Sequence, residues 1–223
     1  MENKFNYVTL KKPVDLIYKR PFDVLYEESV KESAEYIKNF MNNVVICENG
    51  WWDIALNNII ENKLCLEFGV HKGESLNYFS SGKKNTIWYG FDSFYGLQED
   101  WRGGYFAKNY FNLNGVEPKV NNNVVLIKGW FKDTLPIFLK NNEEKISFIH
   151  IDCDTYESTK DIFDNIKFDR FVNNSIILFD EYMGYINWKN NEFKAWQEYV
   201  SINKVNYKYI AFGRTQAIIK IIK

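Results

Sequence analysis

From Lys63 onward the chain alternates short, largely apolar runs with stretches whose apolar residues recur every three or four positions. The runs are Leu64–Phe68, Thr86–Phe91, Val124–Ile127, Ile146–Ile151 and Ile176–Phe179. Consecutive apolar positions need both faces buried, as in the inner strands of a parallel sheet. Helices are predicted between most of them, at Glu74–Phe79, Thr134–Lys140 and Ser158–Ile166, and a fourth at Glu192–Val200 follows the fifth run. Strand–helix alternation of this kind builds a doubly wound α/β sheet. The end of the chain departs from the pattern. Tyr207–Phe212 and Gln216–Ile222 are separated by Gly213-Arg214-Thr215, too short for a crossover helix. They must pair antiparallel as a hairpin. The expected fold is five parallel strands followed by one C-terminal antiparallel hairpin.

Ahead of Lys63 the texture is helical. The opening residues are polar, with Pro13 and Pro21, and read as an arm. Phe22, Leu25, Tyr26, Val30, Ala34, Ile37 and Met41 then recur mostly at three- and four-residue steps, which predicts one amphipathic helix ending near Asn42-Asn43. A short helix around Trp51 to Ile60 follows. Residues 1–62 therefore read as an N-terminal arm with helices, and residues 63–223 as the main domain. The stripe from Phe22 to Met41 must be buried, against the ligand side of the sheet or against another subunit as a homo-oligomer.

Composition narrows the class. At 223 residues with 46% apolar and 26% charged, the chain is a folded one with a sizeable core. Its formal charge of -1 gives no footprint for nucleic acid or an anionic membrane. No apolar run approaches the ~20 residues of a membrane span. The start, MENKFNYVTLKKPVD, lacks the apolar centre of a signal peptide, so cytoplasmic residence is expected. Cys47, Cys65 and Cys153 have neither zinc spacing nor a disulfide framework. His71 and His150 are the two histidines, which excludes any site needing three. The 18% of aromatic residues are expected mostly in the core, partly on a ring-binding surface.

In an open α/β sheet, ligands bind beyond the carboxyl ends of the strands. The first run ends in EFGVHKGES, with Glu67, Gly69, His71 and Gly73. Its glycines suit a tight turn and a close approach of backbone to ligand, but lack the Gly-x-Gly-x-x-Gly spacing of dinucleotide sites. Asp92 ends the second run, where a carboxylate can accept two ribose hydroxyl protons; the plainer reading is a turn or cap. Gly129-Trp130-Phe131 ends the third and is suited to border a purine or to pack in the core. Asp152-Cys153-Asp154 ends the fourth and Asp180-Glu181 the fifth. Neighbouring strand ends lie ~5 Å apart, so these four acids would repel unless a cation or a proton relieves them. An oxygen-only donor set suits Mg²⁺, Mn²⁺ or Ca²⁺.

Taken in order, EFGVHKGES, GFDSFYGLQEDW, KGWFKDTLP, IDCDTYEST and FDEY resemble the class I S-adenosylmethionine-dependent methyltransferases. Among these they are similar to the macrocin O-methyltransferase family, whose members methylate sugar hydroxyls, often with Mg²⁺. The resemblance runs from about Leu64 to Trp196. It implies a Rossmann-like fold with S-adenosylmethionine at the strand ends. It implies that Glu67, Gly69 and Gly73 cradle the methionine part, that Asp92 holds the ribose with Ser93 nearby, and that Gly129 and Trp130 border the adenine. Asp152, Asp180 and Glu181 match the metal ligands, and Asp154 matches the general base. Two positions depart from the family. Asp180-Glu181 stands where two aspartates are usual, and Asn174-Ser175 replaces a glycine pair before the fifth strand.

The implied reaction fits these parts. Methyl transfer from a sulfonium is a direct displacement that needs the acceptor oxygen in line with the methyl. A divalent cation and a carboxylate base both make a sugar hydroxyl a better nucleophile. The segment Ser93–Lys119 has no regular pattern and reads as a lid or acceptor wall, with Arg102, Gly103 and Gly104 within it and Tyr105, Tyr110 and Phe111 as faces for a sugar ring, or as a loop packed on the body. The expected partner is a small-molecule or glycan acceptor, with no nucleic acid and no membrane. Two other readings remain open at this point. Asp152-x-Asp154 could hold a metal and a sugar nucleotide in a glycosyltransferase, which leaves the Glu67–Gly73 turn, Asp92 and the hairpin unexplained. A non-catalytic cofactor-binding domain would need the turn but not Asp154 or the paired acids.

Overall fold

The computed structural model describes residues 20–104 and 106–223; the N-terminal arm expected from the sequence and Tyr105 lie outside them. The described strands are β1 (Val45–Ile46), β2 (Leu64–Phe68), β3 (Trp88–Asp92), β4 (Val124–Lys128), β5 (Ile146–Ile151), β6 (Phe171–Phe179), β7 (Tyr207–Phe212) and β8 (Ala217–Ile221). The helices are α1 (Pro21–Lys38), α2 (Trp51–Asn58), α3 (Glu74–Gly82), α4 (Phe131–Asn141), α5 (Tyr156–Asn165) and α6 (Glu192–Asn203). The eight described strands form one sheet in the order β1-β7-β8-β6-β5-β2-β3-β4. β4, β3, β2, β5 and β6 are mutually parallel. β8 runs antiparallel to both β6 and β7, so the terminal hairpin folds back onto the parallel body as expected.

Alternation along the inner strands splits the core in two. Leu64, Leu66, Phe68, Ile149 and Ile151 face one side, where Leu135 and Phe138 of α4, Ile162 and Phe163 of α5, and Trp196 and Tyr199 of α6 cover them. Cys65 and Phe148 face the other side, against Ala55 of α2 and Leu76 and Phe79 of α3. Glu67 and His150 are register partners on β2 and β5 and share that second face. Both are fully buried.

Two strands differ from the sequence reading. β1 has two residues, too few to show a period, yet it pairs with β7 and extends the sheet into the N-terminal region. β6 begins five residues before Ile176. There Asn174 adopts φ +66°, the left-handed conformation a glycine takes without strain and asparagine tolerates. The Ser175 hydroxyl lies within hydrogen-bonding distance of the Ile146 and Val172 carbonyls, at 2.8 and 2.7 Å. The Asn-Ser pair thus satisfies the irregularity where the glycine pair was expected.

α1 corrects the expected stripe. Leu25, Tyr26, Val30 and Met41 are exposed, and Phe22 is 45% exposed. The buried face is instead Ser29 and Ser33, with Tyr36, Ile37 and Phe40 half-buried against the core. Small serines allow close approach, and Ser33 Oγ accepts the Gly184 N–H at 2.9 Å. The Tyr36 hydroxyl meets Tyr209 Oη at 2.6 Å, which meets Tyr182 Oη at 2.6 Å. α1 therefore braces the segment that follows β6.

Candidate active site

β2 and β3 end in a turn fixed by one carboxylate. Asp92 Oδ2 accepts the Val70 and His71 N–H groups at 2.9 and 2.8 Å, and Oδ1 accepts Phe94 N–H at 2.7 Å. Most of its acceptor capacity is therefore spent on backbone, as in an Asx-turn, although the side chain also lines the cavity above. Gly69 has φ +91°, and a Cβ there would lie 1.7 Å from the Asp152 carbonyl oxygen. Only glycine lets the ends of β2 and β5 meet at this distance.

The acids converge one strand further along. Asp152 N–H donates to Phe68 O, and Asp180 N–H donates to Ile151 O, both at 2.9 Å, so the two aspartates continue adjacent strands. Carboxylate oxygens of Asp152, Asp180 and Glu181 lie within 4.8 Å of one another. Asp154 follows at φ +64° and is 7% exposed. His150 stands beneath them. Its Nδ1 is 2.9 Å from Glu67 Oε2, and its Nε2 is 3.7 Å from Asp180 Oδ1. Burial opposes a charge on His150, but the Asp180 and Glu67 carboxylates outweigh it and raise its pKa well above the usual histidine value. Asp180 is correspondingly lowered: burial raises it, and His150 more than compensates. Burial first, then Asp180, raises Asp152 and Glu181 well above ordinary carboxylates. Burial, then Asp180, pushes Asp154 up to about 7. Glu181 Oε2 is buried without a hydrogen-bond partner. A set of hard oxygen donors, close together, in excess of positive charge and partly unpaired, fits a divalent cation.

A cavity opens over these strand ends. Gly69, Asp92, Ser93, Trp130, Asp152 and Asp154 line it, together with His71, Gly96, Leu97, Gln98, Phe111, Phe131, Cys153 and Ser158. A profile for a methyltransferase domain matches residues 66–182, just over half the chain. The chain belongs to the methyltransferase domain family. Its architecture is that of the class I S-adenosylmethionine-dependent methyltransferases, and this removes the glycosyltransferase reading of Asp152-Cys153-Asp154. No curated protein matches this methyltransferase in sequence. Among solved structures it is similar to CalS11, a calicheamicin methyltransferase, with TM-score 0.64 and 18% identity over 92% of this chain and 94% of that one. Apo CalS11, a TDP-rhamnose 3'-O-methyltransferase of calicheamicin biosynthesis, gives TM-score 0.56 and 17% identity over 92% and 96%. A putative caffeoyl-CoA O-methyltransferase from Staphylococcus aureus gives 0.50 and 16% over 90% and 96%. At these identities the likeness is one of fold. No helix among the described residues is long and apolar enough to cross a membrane.

Within the methyltransferase, the expected cofactor residues divide. Gly69, Asp92, Ser93 and Trp130 reach the cavity. Glu67 does not: its Oε1 accepts the Ser75 hydroxyl at 3.0 Å and its Oε2 faces His150, so it braces the turn from beneath the sheet. Gly73 is the N-cap of α3, and Gly129 precedes Trp130 outside the lining. The described residues of the Ser93–Lys119 segment are tied to one another and to the body. Leu97 N–H donates to the Tyr110 carbonyl and Leu97 O accepts the Asn109 N–H, Trp101 is buried, and Asn187 and Asn191 both donate to the Arg102 carbonyl. Phe111 reaches the cavity, whereas Tyr110 stacks on Phe106 and stays half exposed. The sequence offered no signal for His150, Gln98 or Gln216, whose Nε2 donates to Asp180 Oδ2 at 3.3 Å. His150 sits in a largely apolar strand, and Gln98 and Gln216 sit in polar loop segments where nothing in the spacing marks them.

The role of Asp92 has a measurable consequence. Asp92→Ala leaves three backbone N–H groups without their acceptor and is expected to cost about 2–4 kcal/mol of stability. It also weakens binding of S-adenosylhomocysteine. Asp92→Asn, which keeps one oxygen acceptor, loses less of both. Urea unfolding and calorimetry on the two variants check this; an alanine variant as stable as the parent contradicts the clamping role.

Proposed function

We propose that this chain is an S-adenosylmethionine-dependent O-methyltransferase acting on a hydroxyl of a sugar or glycosylated small molecule, assisted by a divalent cation such as Mg²⁺. The observation that carries the reading is the cluster of Asp152, Asp180 and Glu181, of which Asp152 lines the cavity together with Asp154. The resemblance of the strand-end motifs to the macrocin O-methyltransferases supports the same reading. Bound over the β2 and β3 ends, S-adenosylmethionine supplies the methyl group; held by Asp152, Asp180 and Glu181, a cation supplies charge that lowers the pKa of a nearby hydroxyl. The Gly69 turn, shaped by Asp92, orients the donor, and Trp130 and Phe131 bound the cavity on the β4 side. Asp154 accepts the acceptor's hydroxyl proton as the new oxygen–carbon bond forms and the carbon–sulfur bond breaks. Phe111 and Leu97 shield the reacting groups from water.

The test is product analysis. The protein is incubated with S-adenosylmethionine, Mg²⁺ and a panel of nucleotide sugars and glycosides, and the products are weighed by mass spectrometry. One added methyl on a sugar hydroxyl, lost with EDTA, is the expected result. Methylation confined to non-sugar phenols or to nitrogen overturns the acceptor class.

A further inference from the structure

A fifth carboxylate, beyond Asp152, Asp154, Asp180 and Glu181, belongs to this cluster and has no part in the scheme above. Glu192 opens α6 and has no exposed surface. A glutamate at a helix N-terminus ordinarily points to water, where the dipole favours it. This one is turned inward; burial, then the charges of Asp154, Asp152 and Asp180, raise its pKa well above that of an ordinary carboxylate. Its Oε2 accepts the Glu181 N–H at 3.3 Å. Its Oε1 is buried with no hydrogen-bond partner. One oxygen thus holds the backbone at Glu181, just past the end of β6, and the other is left unused. Burying such a group among like charges is costly unless something positive or a donor completes it.

We propose that Glu192 is a positioning residue of the cation site: one oxygen fixes Glu181, and the other accepts a hydrogen bond from a water carried by the ion. The proposal rests on the cation reading above. Glu192 lies outside the three acids whose oxygens fall within 4.8 Å of one another, so it acts through Glu181 and water rather than as a ligand of that set. Outer partners of this kind orient ligating carboxylates and commonly contribute about 10–100-fold to metal affinity.

The experiment titrates the full-length protein with Mn²⁺, following the free ion by electron paramagnetic resonance. Glu192→Gln keeps an acceptor for Glu181 N–H but cannot take on the negative charge that a bound cation favours. It is expected to bind Mn²⁺ about 10–100-fold more weakly, with S-adenosylhomocysteine affinity unchanged. Thermal unfolding separates this from a merely structural role: the rise in Tm that Mn²⁺ gives the parent shrinks in the variant, while the ion-free Tm does not fall. A variant with parental Mn²⁺ affinity, or one destabilised equally with and without the ion, overturns the proposal. Should Glu192→Gln not fold, Glu192→Asp keeps the charge but withdraws it; parental Mn²⁺ affinity in that variant overturns the proposal equally. If the parent itself binds no Mn²⁺, the cation reading fails first and takes this proposal with it.

Discussion

Asp154→Asn is expected to lower turnover by about 10²–10⁴-fold, the usual share of a general base, with no rescue by added Mg²⁺. Asparagine keeps the size of the side chain and tolerates the left-handed backbone at this position, so the fold should persist. S-adenosylhomocysteine should still bind, because the turn around Gly69 is untouched. The parent enzyme carries a matching pH signature. Burial, then Asp180, pushes Asp154 up to about 7. The ionised form is the base, so kcat/KM is full above that value and is lost as pH falls through it. A bound cation moves the midpoint lower, since positive charge favours the carboxylate. A pH–rate profile at several Mg²⁺ concentrations checks both statements. An Asn variant with parental turnover would make Asp154 a turn residue only.

Asp180→Asn tests the cation. Its removal from the three-acid set is expected to weaken Mg²⁺ by more than the roughly 10–100-fold of losing an outer partner. Turnover falls accordingly and is partly restored by excess Mg²⁺, which is the behaviour Asp154→Asn must not show. Cofactor binding stays nearly intact. There is also a structural cost, because Asp180 is one of two carboxylates flanking the buried His150. Asparagine keeps an oxygen there, so the loss is less than the roughly 3–5 kcal/mol of breaking a buried pair outright. Binding of the ion displaces protons from Asp152 and Glu181, whose pKa values burial and then Asp180 raise, so apparent Mg²⁺ affinity rises with pH. If EDTA leaves turnover unchanged and Asp180→Asn is normal, these acids are acceptors for the substrate's hydroxyls, and the methyltransferase assignment stands without a metal.

The parallel body was legible because β2, β5 and the second half of β6 are buried on both faces and read as largely apolar runs. The hairpin was legible because three residues leave no room for a helix. The motif acids were legible for the same topological reason: residues after parallel strands must gather at one edge. α1 was not. Its period is right but its face is wrong, because Ser29, Ser33 and Tyr36 dock through close approach and hydroxyl bonds, which a hydropathy pattern does not record. Glu67 had the right neighbourhood and the wrong direction. As the register partner of His150 it turns to the α3 face, and only the strand pairing reveals that. Glu192 was hidden for a similar reason, being one acid at a helix start whose burial depends on how α6 meets the ends of β5 and β6.

The claim on which everything else depends is that the cavity over the β2 and β3 ends belongs to S-adenosylmethionine. Calorimetric titration of the full-length protein with S-adenosylhomocysteine tests it most directly. One molecule bound per chain, with affinity reduced in Asp92→Ala and retained in Asp180→Asn, is the result expected. Binding of nucleotide sugars with no binding of S-adenosylhomocysteine would contradict it.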